Sequence, residues 1–300
     1  MSETLSAPAA AKLGVRIHGT TQLIGVIGWP VGHSLSPSMH NAALEHLGLD
    51  WCYVPLPVRP EHLPEAVAGL RALGFRGINA TVPHKLALLD LMDELTPAAR
   101  AIGAVNTVMV QPDGLLGHNT DADGFIRDLR DGGYDPARRR ALVLGAGGSA
   151  RAVVYALASV GAEVTIVNRT AEKAERLAAD MAAGTGGRVQ ANSFSRDALA
   201  ELVAAAQLVV NTTPVGMWPL IDESPWPEEV PFPGQALVYD LIYNPRLTRL
   251  LRWAKQCGAR ARDGLGMLVQ QGAASLELWT GRTPPVAVMR AAGEAALARP

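Results

Sequence analysis

The sequence predicts an α/β protein of two domains with parallel sheets. Three observations carry that prediction. Short apolar runs alternate with helical patterns along the chain. A Gly-rich turn, Gly145 to Ala150, separates one such run from one such helix. The length of 300 residues fits two domains at roughly 100–200 residues each.

The elements follow in order. Leu23–Gly28 reads as a strand. Ser36 is expected to cap a helix with Pro37 at its first position, and that helix runs through Met39, Leu44 and Leu47 to Gly48. Trp51–Val58 is a second strand, Leu63–Leu73 a helix stopped by Gly74, and Gly77–Val82 a third strand. Pro112-Asp113-Gly114 between apolar flanks predicts a hairpin. A helix over Ala122–Leu129 closes the first half.

The second half opens on Arg138-Arg139-Arg140, expected as a solvated loop before the buried strand ALVL. Helix Ala150–Val160, strand Glu163–Val167 and helix Ala171–Met181 follow. Strands at Leu208–Asn211 and Ala236–Asp240 flank Pro214–Pro233, a Pro-rich stretch expected as an exposed loop. Helices are expected from Leu265 to Trp279 and after Pro284-Pro285. Residues 1–20 read as a flexible Ser/Ala-rich tail rather than a signal peptide.

Composition narrows the function. The chain has 27 Lys and Arg against 28 Asp and Glu, a net charge of −1, and 48% hydrophobic residues. That suits a soluble core and argues against nucleic acid as a partner. Cys52 and Cys257 give neither a disulfide framework nor a metal site, which favours a reduced, cytoplasmic setting. No apolar span is long enough for a membrane. His33, His40 and His84 lack metal-ligand spacing, so no metal is expected.

Gly145-Ala146-Gly147-Gly148-Ser149-Ala150 is GxGxxA. It follows a strand and opens a helix, the context in which glycines let a pyrophosphate approach the backbone at a helix N-terminus. NAD binders place an acid at the end of the next strand. Here that position reads Asn168-Arg169-Thr170, and Arg169 suits a 2′-phosphate, so NADP is preferred.

Polar residues gather in three first-half clusters: Ser34 and Ser36; Asn79, Thr81 and Lys85; and Asn106-Thr107 with Asn119-Thr120-Asp121. Hydroxyls, amides, one Lys and one Asp suit a neutral polyol that carries a carboxylate. A Lys beside an Asp can supply the proton that carbonyl reduction needs. Each residue alone also has an ordinary role as a cap, a strand-end hydrogen bonder or a surface charge.

Together these motifs resemble the shikimate dehydrogenase family. The match spans about residues 22–285: Gly28 and Pro30 with HSLSPxxHN to Asn41, NxTxPxK over Asn79–Lys85, GAVNT over Gly103–Thr107, and NTDxxG over Asn119–Gly124. GAGGSAR over Gly145–Arg151, NRT over Asn168–Thr170, NTTPVGM over Asn211–Met217, DxxYxP over Asp240–Pro245, and GMLVxQ over Gly266–Gln271 complete it.

The resemblance implies an N-terminal α/β substrate-binding domain and a Rossmann-like NADP-binding domain with a parallel sheet. The expected boundaries are 21–120 for the first, with 258–300 returning to it, and 121–257 for the second. It implies reversible reduction of 3-dehydroshikimate with NADPH in aromatic amino-acid biosynthesis. Ser34, Ser36 and Tyr243 would hold the carboxylate. Asn79, Thr81, Asn106, Asp121 and Gln271 would hold ring hydroxyls, with Gln270 on the solvent side. Lys85, paired with Asp121, would be the acid–base group. Gly145, Ala146, Gly147, Gly148, Ser149 and Ala150 would seat the pyrophosphate, Asn168, Arg169 and Thr170 the 2′-phosphate, and Leu241 and Gly264 the nicotinamide by backbone.

Pro97 stands where the family often carries an acid, so that cofactor contact is not carried over; Leu241 stands where many members have Met. A quinate/shikimate dehydrogenase with broader substrate or NAD use is the rival reading. A non-catalytic NADP sensor is a remoter one, opposed by the presence of both Lys85 and Asp121. The partners implied are small molecules only, the chain being a monomer or homodimer.

Overall fold

A computed structural model describes residues 17–298, so most of the tail expected to be flexible lies outside the described residues. At its described end the chain is anchored: Thr20 and Thr21 each donate a 2.6 Å hydrogen bond to Asp50. The first half runs β1 (Gln22–Gly28), α1 (Ser36–His46), β2 (Trp51–Pro57), α2 (Leu63–Ala72), β3 (Phe75–Ala80), β4 (Glu94–Leu95), α3 (Pro97–Ile102), β5 (Thr107–Gln111) and β6 (Gly114–His118). Helix α4 (Asp121–Asp131) leads to β7 (Arg140–Leu144), α5 (Gly148–Ser159), β8 (Glu163–Val167), α6 (Ala171–Thr185), β9 (Val189–Asn192), α7 (Arg196–Ala205), β10 (Leu208–Asn211) and β11 (Leu237–Asp240). The chain ends on α8 (Arg249–Gln256), β12 (Arg260–Arg262), α9 (Leu265–Thr280) and α10 (Val286–Leu297).

Two six-stranded sheets result, ordered β2-β1-β3-β5-β6-β4 and β12-β11-β10-β7-β8-β9. The second is parallel throughout. Its central strands are buried along their length, as in a sheet covered by helices on both faces. The first sheet is mixed, a correction to the expectation of parallel sheets. The Pro112–Gly114 hairpin sets β5 antiparallel to β6, because a two-residue turn can only reverse the chain, and β5 also pairs antiparallel with β3.

The C-terminal helices return to the first sheet. Leu265, Val269, Ala273 and Leu276 of α9 and Met289 of α10 share a core with Ile24 and Val26 of β1 and Met39 of α1. At Gly77 a Cβ would collide with the Trp279 indole, so β3 needs glycine for α9 to lie this close. The return begins at α9, later than the expected residue 258, because β12 still pairs with β11 in the second sheet. Helix α4 joins the units. Its buried Asp128 accepts from Arg262 at 2.8 and 2.5 Å and from the Tyr239 hydroxyl at 2.7 Å. Burial and this carboxylate raise the Tyr239 phenol well above its usual pKa.

The Pro214–Pro233 segment is exposed only in part. Trp218 and Leu220 face solvent, whereas Trp226, Val230 and Phe232 are buried against the second sheet. Pro frequency marked the irregular backbone; the aromatic anchors under it required the packed sheet. Among the described residues no helix is long and apolar enough to cross a membrane.

Candidate active site

The loops after β1 and β3, the start of α4 and the inner face of α9 meet at one end of the first sheet. Ser34 is half-buried and Ser36 buried, and the Ser36 backbone N–H donates to the Ser34 hydroxyl at 3.3 Å. The expected Ser36 cap is corrected: Leu35 is the N-cap residue and no side chain caps α1. The Ser36 hydroxyl is therefore not committed to the helix end. Thr81, two residues on from Asn79, lies just past the end of β3 and is half-buried.

Beneath these serines lies a buried hydrogen-bond network. Asn106 Nδ2 donates to Asp121 Oδ1 at 2.9 Å, to Thr120 Oγ1 at 2.9 Å and to Gln271 Oε1 at 3.2 Å. The Asn79 amide is partnered at both ends. Its Oδ1 accepts from the Tyr53 hydroxyl at 2.9 Å, and its Nδ2 donates to Ser275 Oγ at 2.8 Å and Thr107 Oγ1 at 3.1 Å. Gln271 joins the network through Oε1, which accepts from Asn106 Nδ2. Gln270 is the correction: it is buried and donates to Asp131 at 2.7 Å, because α9 has α4 packed along the face expected to meet solvent.

Lys85 connects this network to the second unit. Its Nζ donates to Asp121 Oδ2 at 2.6 Å, and the two side chains are 13% and 5% exposed. Asp121 opens α4, where the helix N-terminus favours a carboxylate. The Lys85 stem lies on the Gly-rich turn, its Cβ 3.2 Å from where a Gly148 Cβ would stand. A cleft of about 650 Å³ runs from Lys85, Val82 and Leu86 past Gly145–Ser149 to Asn168, Arg169 and Phe194.

The turn fits a pyrophosphate. Gly145 has φ of +108°, and a Cβ there would come within 2.6 Å of Thr212 Oγ1, so both backbone and space demand glycine. Gly147 precedes the first helical residue, Gly148, and the N-terminus of α5 opens onto the cleft. Ala150 is buried behind the turn, where close strand–helix packing needs a small residue. Asn168 Nδ2 is turned onto the Thr170 carbonyl at 2.9 Å. Arg169 and Thr170 are exposed, and Arg169 has no ion-pair partner among the described residues. Leu241 and Gly264 abut: a Cβ on Gly264 would collide with the Leu241 carbonyl. Tyr243 packs on the α1–α9 core, and burial pushes its phenol up to about 12.

Two further cavities differ in kind. One of about 440 Å³ continues the cleft beyond Arg169 toward Glu175 and Ser193. The other, about 540 Å³, lies at the N-terminal ends of β7, β8 and β9, where Arg188 pairs with Glu163 and no acid–base pair converges. No group of three or more His, Cys, Asp or Glu residues converges as a metal site among the described residues. His40 sits between the Ser36 and Gly272 carbonyls at 2.9 and 3.2 Å, and burial lowers it to about 4.

Sequence reasoning missed Tyr53, Asp128 and Ser275. Ser275 was accessible in principle: it lies four residues after Gln271, on the same face of one helix. Tyr53 and Asp128 come from elements whose pattern signals only core.

Three family models match the chain: "Shikimate dehydrogenase substrate binding domain" over residues 26–108, "Shikimate / quinate 5-dehydrogenase" over 132–225, and "Shikimate 5'-dehydrogenase C-terminal domain" over 264–292. A shikimate dehydrogenase (NADP(+)) of Geobacter metallireducens is 49% identical, covering 94% of this chain and 99% of the relative. One from Moorella thermoacetica is 48% identical over 92% of this chain and 93% of its own length. The crystal structure of shikimate 5-dehydrogenase from Thermus thermophilus with NADP(H) and shikimate is 42% identical, with a TM-score of 0.83, covering 92% of this chain and 100% of that one.

Proposed function

The chain belongs to the shikimate dehydrogenase family, and from that premise we propose that its cleft reduces 3-dehydroshikimate to shikimate with NADPH, reversibly, in aromatic biosynthesis. It is an oxidoreductase that uses NADP(H). The observation that carries the reading is the Lys85–Asp121 pair, seated where the polar network meets the Gly-rich turn.

The residues present fit the cofactor: a glycine cradle that tolerates no Cβ at Gly145, a helix N-terminus beside it, and a guanidinium free to meet a 2′-phosphate. When bound, NADPH supplies the hydride. Asn168, Arg169 and Thr170 would hold the 2′-phosphate, Gly145–Ala150 the pyrophosphate, and the Leu241 and Gly264 backbones the nicotinamide.

In this reading the remaining chemistry belongs to side chains. Ser34 and Ser36 donate to the substrate carboxylate, with the Tyr243 phenol, protonated at neutral pH, beside them. Thr81, Asn106, Asp121 and Gln271 orient the ring hydroxyls. Asn79, its amide already partnered at both ends, supports this surface from behind. Lys85 gives its proton to the carbonyl oxygen as charge develops there, and takes it back in the oxidation direction. Asp121 holds the ammonium in place and oriented. Partial desolvation strengthens each of these contacts.

The test is a steady-state comparison of shikimate and quinate, each with NADP⁺ and NAD⁺. Shikimate with NADP⁺ is expected to have the highest kcat/KM. A preference for quinate with NAD⁺ refutes the assignment.

A further inference from the structure

Ser275 is 0% exposed, and its hydroxyl is the crossing point of four segments. It receives Asn79 Nδ2 of β3 at 2.8 Å and meets Thr107 Oγ1 of β5 at 2.8 Å. It also meets Thr120 Oγ1, the residue before α4, at 3.1 Å, and reaches the Gln271 carbonyl one turn back on α9 at 3.1 Å.

Counting hydrogens orders the network. Asn79 Nδ2 has two hydrogens and three acceptors in reach: Ser275 Oγ at 2.8 Å, Thr107 Oγ1 at 3.1 Å and the Asn106 carbonyl at 3.2 Å. Asn106 Oδ1 accepts the Thr107 hydroxyl at 2.9 Å and the Thr120 backbone N–H at 2.8 Å. The Thr120 hydroxyl has Asn106 Oδ1 at 3.2 Å and Ser275 Oγ at 3.1 Å as acceptors, and the Ser275 hydrogen goes to the Gln271 carbonyl. In this arrangement every hydroxyl hydrogen has an acceptor, and the two Asn106 amide hydrogens are shared among Asp121 Oδ1, Thr120 Oγ1 and Gln271 Oε1.

We propose that Ser275 is the positioning residue that fixes the amides of Asn79 and Asn106 and clamps Gln271 of α9 onto the first sheet, so that the ring-hydroxyl subsite is formed before substrate arrives. It acts through Asn106, Asp121 and Gln271 and touches neither substrate nor cofactor. The proposal rests on the functional reading above and adds to it a determinant of substrate affinity that lies behind the site. Removing the Ser275 hydroxyl takes away the shortest contact of Asn79 Nδ2 and leaves it and the Thr120 hydroxyl on their longer alternatives, the Asn106 carbonyl and Asn106 Oδ1, which loosens the arrangement they support.

The experiment is steady-state kinetics and thermal melting of Ser275→Ala and Ser275→Thr. The Ala variant is expected to raise the KM for 3-dehydroshikimate about tenfold, to lower kcat less, and to leave the KM for NADPH and the melting temperature near wild type. Thr keeps the hydroxyl and is expected to restore most of the loss. The proposal is overturned if Ala stays within about twofold of wild type on substrate KM. It is equally overturned if the NADPH KM and the melting temperature shift together with substrate KM, since that marks a purely structural role. A Thr variant that melts like wild type yet is as impaired as Ala also overturns it. Wild-type enzyme that fails to reduce 3-dehydroshikimate refutes the functional reading itself, before any variant is compared.

Discussion

Replacing Lys85 by Met removes the ammonium while keeping a similar stem on Gly148. Two charges 2.6 Å apart attract with roughly 6 kcal/mol at an effective dielectric of about 20. Desolvation offsets part of that attraction. Removing one partner of a buried pair costs about 3–5 kcal/mol, because the other charge remains without compensation. Asp121 keeps its bond from Asn106 and its place at the helix N-terminus, so the loss for Lys85→Met is expected at the low end, about 3 kcal/mol. Adding Asp121→Asn removes the stranded charge, and the double variant is expected to regain about half of that loss. Activity behaves differently: kcat falls by about 10²- to 10⁴-fold in both, since the proton donor is gone in both. Urea unfolding of wild type, both single variants and the double variant gives the coupling. Steady-state turnover of 3-dehydroshikimate at saturating NADPH gives the rate. Stability losses that simply add would show that the two charges are not coupled in the fold, and a Lys85→Met enzyme with near-wild-type kcat would remove Lys85 from the chemistry.

Arg169→Ala should weaken NADPH about tenfold or more and leave NADH almost unchanged; equal losses in fluorescence titrations would sink the 2′-phosphate assignment. His40 is held neutral down to about 4 against an ordinary 6.5, so the unfolded chain takes up its proton first. Stability is lost as pH falls from about 6.5 to 4, by roughly 3 kcal/mol. Asp240, raised by burial to about 6 from 3.8, works in the opposite sense: the native state takes up its proton first as pH falls through 6, and stability is gained by a similar amount, about 3 kcal/mol. A His40→Gln variant should therefore close its stability gap to wild type between pH 7 and pH 4 in urea midpoints, and parallel curves would refute the His40 contribution. Gly266→Ala places a Cβ onto the Asp128 carboxylate and should lower stability by about 2 kcal/mol or more through the Asp128–Arg262 junction; an unchanged melting temperature would show that the junction relaxes freely.

Local chemistry made much of this protein legible in one dimension. The buried runs of β7, β10 and β11 read as strands because a sheet covered on both faces selects continuous apolar residues. The glycine turn before α5 read as a phosphate cradle because only glycine reaches φ of +108° and leaves room beside Thr212. Lys85 and Asp121 were identifiable as chemistry-bearing residue types, and family resemblance paired them.

The short elements were not legible. Strands β12 and β9, RAR and VQAN, lack the apolar run that marked β10 and β11, and they exist because β11 and β8 offer edges to pair with. The mixed character of the first sheet followed from which neighbour β5 found, a long-range choice. Gln270 shows the same limit: a Gln on an apolar helix reads as solvent-facing, yet α4 arrives from over a hundred positions away and buries it against Asp131.

The sequence by itself determined the periodicities, the turn chemistry and the reactive groups, because these depend on a residue and its near neighbours. Tertiary structure alone decided that Lys85 lies on the Gly148 turn, that Asn79 meets Tyr53 and Ser275, and that Asp128 binds the two units together. Hydrogen-bond satisfaction and charge pairing are settled only when distant segments meet, since a buried polar group takes whichever partner packing brings within about 3 Å.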